Sequence, residues 1–377
     1  SAAALLMSLK ACLKQVVCKP DISLSAMDEC IIKAGTDMNA LSAGAASTFD
    51  ANFAVESMCG SNNRYHDRSK LWQPWQFLES GIVTASSVSS VSDIGENITM
   101  SFETVHLQAI ILAAKFKRAN VCGPQSRISL FSCNSWCALI VHFAASLVGG
   151  IVGNHNVHLS VSEFTYQLKL FDPELVIVGA GDRLEETCNA ALERSLIEQN
   201  NGSTIFLRAP WSIEALFAMS INLGTNPGCT LDAVVDQKNH PYMLYFTSGT
   251  SGKPKGVVLN QTAISSHAVC TICEMRLNSH DIWLHVAPIF HLVDAFSVYA
   301  VTAVGGHHIL QAVFEASTTL RVIEREGITV LNLASTMVAL MCSQTTAENV
   351  HLDLSSLRML SCGGSPVVNN VVLQAIG

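Results

Sequence analysis

From about Leu71 onward, apolar and polar residues fall into short blocks whose period switches between that of a strand and that of a helix. Short apolar runs predict strands over residues 98–102, 127–132, 175–178, 204–207, 243–246, 257–260, 281–285, 308–310 and 330–333, with a further strand entered from 150–153. Between them, apolar positions recur at helical spacing. In the stretch 102–117 they are Val105, Leu107, Ile110, Ile111 and Ala114. The same spacing predicts helices over 135–147, 161–170, 184–199, 263–276, 292–305, 318–326 and 336–343. Gly123-Pro124 and Gly305-Gly306 punctuate the pattern as stops. Strands alternating with helices predict parallel βαβ units, hence an α/β fold of three layers with parallel sheets covered by helices on both faces.

The first 70 residues follow a different pattern. Residues 2–17 and 25–34 have helical periodicity, and 36–69 is rich in Ala, Ser, Asn and Gly, the composition of a loop or linker. This predicts an unassigned N-terminal extension, 1–70, preceding one domain over 71–377. The chain opens on Ser1 and closes on Gly377 in mid-pattern, and both ends have the character of a fragment's.

Composition narrows the class. Of 377 residues, 49% are hydrophobic and 14% charged, so much of the chain is destined for burial. A net charge of −8 with no basic stripe argues against a nucleic-acid partner. Thirteen scattered cysteines, an odd count, fit reduced thiols in the cytoplasm, with peripheral membrane or organelle association left open. The one tight pair, Cys270-x-x-Cys273, lies on a predicted helix without a second pair or histidine cluster, and is expected to be two small core residues rather than a metal site. No apolar run has the length of a transmembrane segment: 138–152 is interrupted by His142, Ser146 and Gly149-Gly150.

The candidate chemistry lies in Tyr245-Phe-Thr-Ser-Gly-Thr-Ser-Gly-Lys-Pro-Lys-Gly256. Two predicted strands flank this loop. Its glycines permit positive φ, and a concave run of backbone N–H groups is a nest for phosphate oxygens. Thr247, Ser248, Thr250 and Ser251 add hydroxyl donors, and Lys253 adds a cation. Pro254 disfavours helix entry directly after Lys253. The spacing differs from a Walker A loop, which needs G-x-x-x-x-G-K-[ST] opening a helix. The competing reading is a Ser/Gly-rich surface hairpin, disfavoured by the strand entering the loop and by two lysines inside it.

These residues resemble the signature [YF]-T-S-G-[TS]-[TS]-G-x-P-K-G of the AMP-forming adenylating enzymes, a family that includes acyl-CoA synthetases, peptide-synthetase adenylation domains and beetle luciferases. The resemblance runs from about Leu71 to Gly377. It includes 120–131, Asn134-Ser135 opening a helix, the turn Leu147-Val-Gly-Gly150, Pro288-Ile-Phe-His291, and Leu357-Arg358 leading to Cys362-Gly-Gly-Ser-Pro366. Gln125-Ser126 and Gly153-Asn154-His155 depart from the family pattern. The run His291-Leu-Val-Asp-Ala-Phe296 leans towards synthetases of fatty or aryl acids.

The resemblance implies ATP-dependent activation of a carboxylic acid to an acyl-adenylate, then transfer to CoA, with Mg²⁺ accompanying ATP. It implies that Thr247, Ser248, Gly249, Thr250, Ser251, Gly252 and Lys253 hold phosphates. Gly363, Gly364 and Ser365 would border the adenine and acyl site, and His291, the candidate catalytic residue, would lie near that pocket. The family's Y-G-x-T-E segment, ribose-binding aspartate, hinge and C-terminal lid domain have no match in this sequence. The 377-residue chain is therefore expected to bind ATP weakly and to form little acyl-adenylate. A non-catalytic nucleotide- or acyl-binding protein on the same fold is the alternative. An unrelated ATPase would need a carboxylate at a strand end and a loop entering a helix, and neither is visible.

Overall fold

The computed structural model describes residues 73–85, 90–119, 121, 123, 126–198, 211–212, 240–247, 253–348 and 352–363. The chain divides into two compact units, residues 1–62 and 63–377, and every described residue belongs to the second.

In chain order the described elements begin with α1 (Gln76–Thr84), β1 (Ser90–Asp93), β2 (Ile98–Ser101), α2 (Phe102–Arg118), β3 (Arg127–Phe131), α3 (Trp136–Val148) and β4 (Ile151–Asn154). They continue with α4 (Val161–Phe171), β5 (Leu175–Val178), α5 (Asp182–Glu198), β6 (Trp211–Ser212), β7 (Pro241–Thr247), β8 (Lys255–Asn260) and α6 (Gln261–Met275). The last are β9 (Ile282–His285), α7 (Leu292–Ala303), β10 (His307–Leu310), α8 (Ala316–Glu326), β11 (Val330–Leu333), α9 (Ser335–Glu348) and β12 (Met359–Cys362).

The strands form two six-stranded sheets, ordered β12-β11-β9-β10-β1-β2 and β6-β5-β3-β4-β7-β8. Every pairing is parallel except at one edge of each sheet, where β2 and β8 run antiparallel to β1 and β7. The three-layer arrangement read from the sequence therefore occurs twice, with a shared inner helical layer. The alternation of side chains along the strands shows this. In β5, Leu175 and Ile177 join a central core with α2, α3, α6 and α7, whereas Val176 and Val178 pack with α4 and α5. In β11, Val330 faces the central core, and Leu331 and Leu333 face α8 and α9. Such strands are apolar on both faces because both faces are covered.

The inner helices show the same logic. Residues 137–148 of α3 are buried all round, as expected of a helix between two sheets. Ser135 caps α3 by accepting from Ala138 N at 3.2 Å, and Gly149 ends it at φ 70°, where glycine pays no steric penalty. Outer helix α4 opens on a capping box of Ser160 and Glu163.

Several expectations shift. The stretch 71–97, for which no element was predicted, contains α1 and β1. Ser90 and Ser92 lie on β1 with their hydroxyls 3.1 and 2.9 Å from His307 Nε2, so tertiary partners override propensity. Cys270 and Cys273 are half-buried on the flank of α6 rather than in the core. The predicted strand 204–207 lies outside the described residues. Among the described residues no disulfide is formed, and no helix is long and apolar enough to cross a membrane.

Candidate functional site

Strand β7 enters the glycine-rich loop and β8 leaves it, with Thr247 opposite Lys255 and Phe246 opposite Gly256. The loop thus joins two antiparallel strands rather than opening a helix, as its proline required. Its residues Ser248, Gly249, Thr250, Ser251 and Gly252 lie outside the described residues. Thr247 closes β7 and is exposed, and Lys253 and Lys255 are exposed on the other limb. Helix α4 braces both limbs. Tyr166 Oη donates to Pro254 O at 3.4 Å. Gln167 Oε1 lies 2.8 Å from His155 Nδ1, and the His155 ring stacks on Phe246 with centroids 5.1 Å apart. Burial pushes His155 down to about 4, partly offset by the bond to Gln167, so the ring is neutral and Nδ1–H is the donor.

The departure Gly153-Asn154-His155 is accommodated here. A Cβ on Gly153 would lie 2.5 Å from Phe171 Cε1, so only glycine lets β4 approach α4 this closely. Asn154 Oδ1 accepts from His142 Nε2 at 2.8 Å, and burial holds His142 at about 4, hence neutral.

The second component is the loop from β9 to α7. The fully buried Asn134, at the end of β3, fixes it with three bonds. Its Nδ2 donates to His285 O at 3.0 Å and to Ala287 O at 2.9 Å, and its Oδ1 accepts from Ile289 N at 2.9 Å. Asn134 follows a strand of one sheet and its partners follow a strand of the other, so the C-terminal edges of the two sheets meet at this residue. Open α/β sheets bind ligands at that edge. Phe290 packs with Phe131, Val157 and Phe164 of the opposite sheet's cover. His291 occupies the N-cap position of α7 with an exposed side chain. Partial burial, then the nearby His158, lower its imidazole below the ordinary range, which favours the neutral ring at pH 7.

The third component is the segment after β12. Gly363 N donates to Leu333 O at 3.1 Å, placing Gly363 at the same C-terminal edge, while Gly364 and Ser365 lie outside the described residues. At the opposite end of β12, Arg358 anchors the segment. Its Nε and Nη2 each lie 2.7 Å from the two oxygens of the buried Asp281. Burial alone would raise the Asp281 carboxyl, but the Arg358 pair and the Asn278 and Thr329 donors outweigh it and lower the carboxyl below its usual range.

Strand direction therefore puts Thr247, His291 and Gly363 at C-terminal strand ends, with Lys253 on the returning limb of the glycine-rich loop. The pair Asn134-Ser135 does open α3, as expected, with its two members dividing the work. Ser135 caps the helix, and Asn134 ties the two sheet edges together. Its only signal in the sequence was the Asn-Ser pair after an apolar strand.

A glycine-rich hairpin and two further strand-end loops on a pair of doubly covered sheets define an α/β domain of the nucleotide-binding kind. The family model described as AMP-binding enzyme matches residues 83–376, and the chain belongs to that family. It is similar to 2-succinylbenzoate–CoA ligase, chloroplastic/peroxisomal, of Arabidopsis thaliana, with 28% identity over 258 residues that cover 63% of this chain and 43% of that protein. It is similar to feruloyl-CoA synthase of Amycolatopsis sp, with 30% identity over 177 residues that cover 45% of this chain and 36% of that protein. The N-terminal domain of FACL13 from Mycobacterium tuberculosis shares the fold, with a TM-score of 0.69 at 17% identity over 81% of this chain and 73% of that one. The chain spans less than half the length of these two curated relatives.

Proposed function

We propose that this chain carries the phosphate loop and the acyl-site edge of an enzyme that activates a carboxylic acid with ATP and passes the acyl group to the thiol of CoA. The observation that carries this reading is the junction made by Asn134, which brings the His291 loop of one sheet against the strand ends of the other.

A carboxylate oxygen attacks the α-phosphorus of ATP, the bond to pyrophosphate breaks, and the acyl-adenylate forms. The thiol sulfur then attacks the acyl carbon and AMP departs with the bonding electron pair. The first step consists mainly of holding and neutralising phosphate charge. Lys253, with the hydroxyls of Thr247, Ser248, Thr250 and Ser251 and the backbone of Gly249 and Gly252, serves the β- and γ-phosphates. Mg²⁺ enters with ATP as part of the substrate, held largely by the phosphates themselves. His291 faces the acyl pocket as a neutral imidazole that donates a hydrogen bond, and Gly363, Gly364 and Ser365 let the backbone pass close to adenine. Two relatives are named for 2-succinylbenzoate and for a feruloyl product. Those names favour an aryl acid over a long-chain fatty acid.

The test is to incubate the purified chain with ATP, Mg²⁺, CoA and either aryl or fatty acids and to identify the nucleotide product. Slow formation of AMP and pyrophosphate that depends on an aryl acid is the expected result. Formation of ADP, or nucleotide turnover indifferent to any acid, overturns the reading.

A further inference from the structure

A chain of fully buried polar side chains lies directly beneath the His291 loop. Asp294 Oδ2 is 2.9 Å from His285 Nδ1, His285 Nε2 is 2.9 Å from His308 Nδ1, and His308 Nε2 is 3.0 Å from Thr302 Oγ1. Thr302 Oγ1 in turn donates to Val298 O at 2.7 Å. All four side chains are at 0% exposure.

The hydrogens along this chain can be counted from its far end. Val298 O is a carbonyl and only accepts, so the single hydroxyl hydrogen of Thr302 lies on that 2.7 Å contact. Thr302 Oγ1 must therefore accept from His308 Nε2–H. Burial, then the neighbouring His285 and His307, keep His308 well below the ordinary histidine range, so its ring is neutral and its Nδ1 is an acceptor. His285 Nε2 must then carry a hydrogen, and one more hydrogen lies between His285 Nδ1 and Asp294 Oδ2. The three groups together hold one proton more than a carboxylate and two neutral imidazoles would. The surroundings place it on His285. Asp294 Oδ1 accepts from Trp283 Nε1–H at 3.0 Å and lies 3.2 Å from Ser297 Oγ, and Asp294 sits in the first turn of α7, where the helix dipole favours an anion.

His285 ends β9, Asp294 lies in the first turn of α7, and the intervening residues 286–293 are the loop that presents His291. We propose that Asp294, His285 and His308 are positioning residues, a buried triad holding one imidazolium whose clasp across the loop sets the place of His291. The count of one extra proton stands on the contact geometry, and its place on His285 also on the burial that keeps His308 neutral; the positioning half rests on reading His291 as part of the acyl site.

The test uses the full 377-residue chain with ¹⁵N-labelled histidine and long-range ¹H–¹⁵N correlation, which needs neither nucleotide nor acid. In the unaltered chain His285 should show two protonated ring nitrogens, and His308 one, at Nε2. Thr302→Val keeps the shape but removes the acceptor at the far end. His308 should then move its hydrogen to Nδ1, and His285 should lose its second proton. Asp294→Asn offers an amide donor to His285 Nδ1 and retains the acceptor for Trp283, so the clasp should survive with a neutral His285 and an unchanged His291 titration. Asp294→Ala should shift the His291 titration towards the ordinary histidine value and raise the apparent KM for the acid more than that for ATP. A neutral His285 in the unaltered chain, or a doubly protonated His285 in Thr302→Val, overturns the triad. Identical His291 titrations in Asp294→Ala and Asp294→Asn overturn the positioning role, whatever the outcome of the activity assay.

Discussion

Replacing Asn134 by alanine removes a side chain that ties the strand ends of the two sheets together, and its cost can be worked out group by group. Three backbone groups lose a partner: His285 O, Ala287 O and Ile289 N. His285 O keeps the bond from Gln311 N at 3.1 Å, so it is not orphaned. Ala287 and Ile289 are at 1% and 2% exposure, so their carbonyl and amide lose a partner away from water. An unsatisfied buried group costs about 1–3 kcal/mol, and two such groups cost about 2–6 kcal/mol in total. Against a typical stability of about 5–15 kcal/mol this is a large fraction. Asn134→Asp should be at least as damaging, because a carboxylate keeps an acceptor for Ile289 N yet sets negative charge against two carbonyl oxygens. Urea unfolding gives the stability change, and hydrogen exchange at the Ile289 amide reports the local bond. A loss below about 1 kcal/mol with undiminished Ile289 protection would refute the view that Asn134 holds the His291 loop.

Other consequences follow from single contacts. Arg358→Ala should destabilise the chain by about 1–2 kcal/mol, a buried-pair penalty discounted because the guanidinium is partly solvent-screened. Asp281 has a lowered carboxyl, so this pair's contribution is present above the ordinary aspartate range and fades as pH falls through the folded value; Arg358→Ala should flatten that acid limb in pH-dependent denaturation. His142 and His155, each lowered from 6.5 to about 4, stabilise the neutral-pH fold and lose that contribution as pH falls from 6.5 towards 4. The shift corresponds to on the order of 3 kcal/mol for each. Unfolding free energies that do not change across that window would contradict the burial of both rings as neutral acceptor–donor pairs. Gly153→Ala should cost about 1–3 kcal/mol, since its Cβ would overlap the Phe171 ring, and a Tm equal to that of the unaltered chain would show that α4 yields freely.

The sequence showed the α/β alternation because doubly covered strands such as Leu175–Val178 are apolar on both faces and the helices between them keep a helical period. It did not show that there are two sheets. That division depends on which strand each βαβ crossover returns to, and β10 pairs with β1 across some two hundred residues. The candidate site could be proposed from the sequence where residue type alone carries the chemistry, as in the glycines, hydroxyls and lysines of 247–256, of which 248–252 lie outside the described residues. The supporting groups could not. Asn134, Asp281 and the Asp294–His285–His308 chain act through partners far along the sequence, so their types without their neighbours are uninformative. Strand β1 was not predicted for the same reason, since it gains its pairing from strands on either side rather than from its own composition.

The proposed phosphate site comprises residues 247–253, with Lys253 as its cation. Calorimetric titration of Mg·ATP into the purified chain, alongside Lys253→Ala, tests it most directly. Weak, saturable binding is expected, falling by roughly tenfold in Lys253→Ala, the loss of about 1.4 kcal/mol expected for one charge-assisted phosphate contact, with an unchanged circular dichroism spectrum. Equal affinity in the two proteins, or no binding by the unaltered chain at millimolar Mg·ATP, would contradict it.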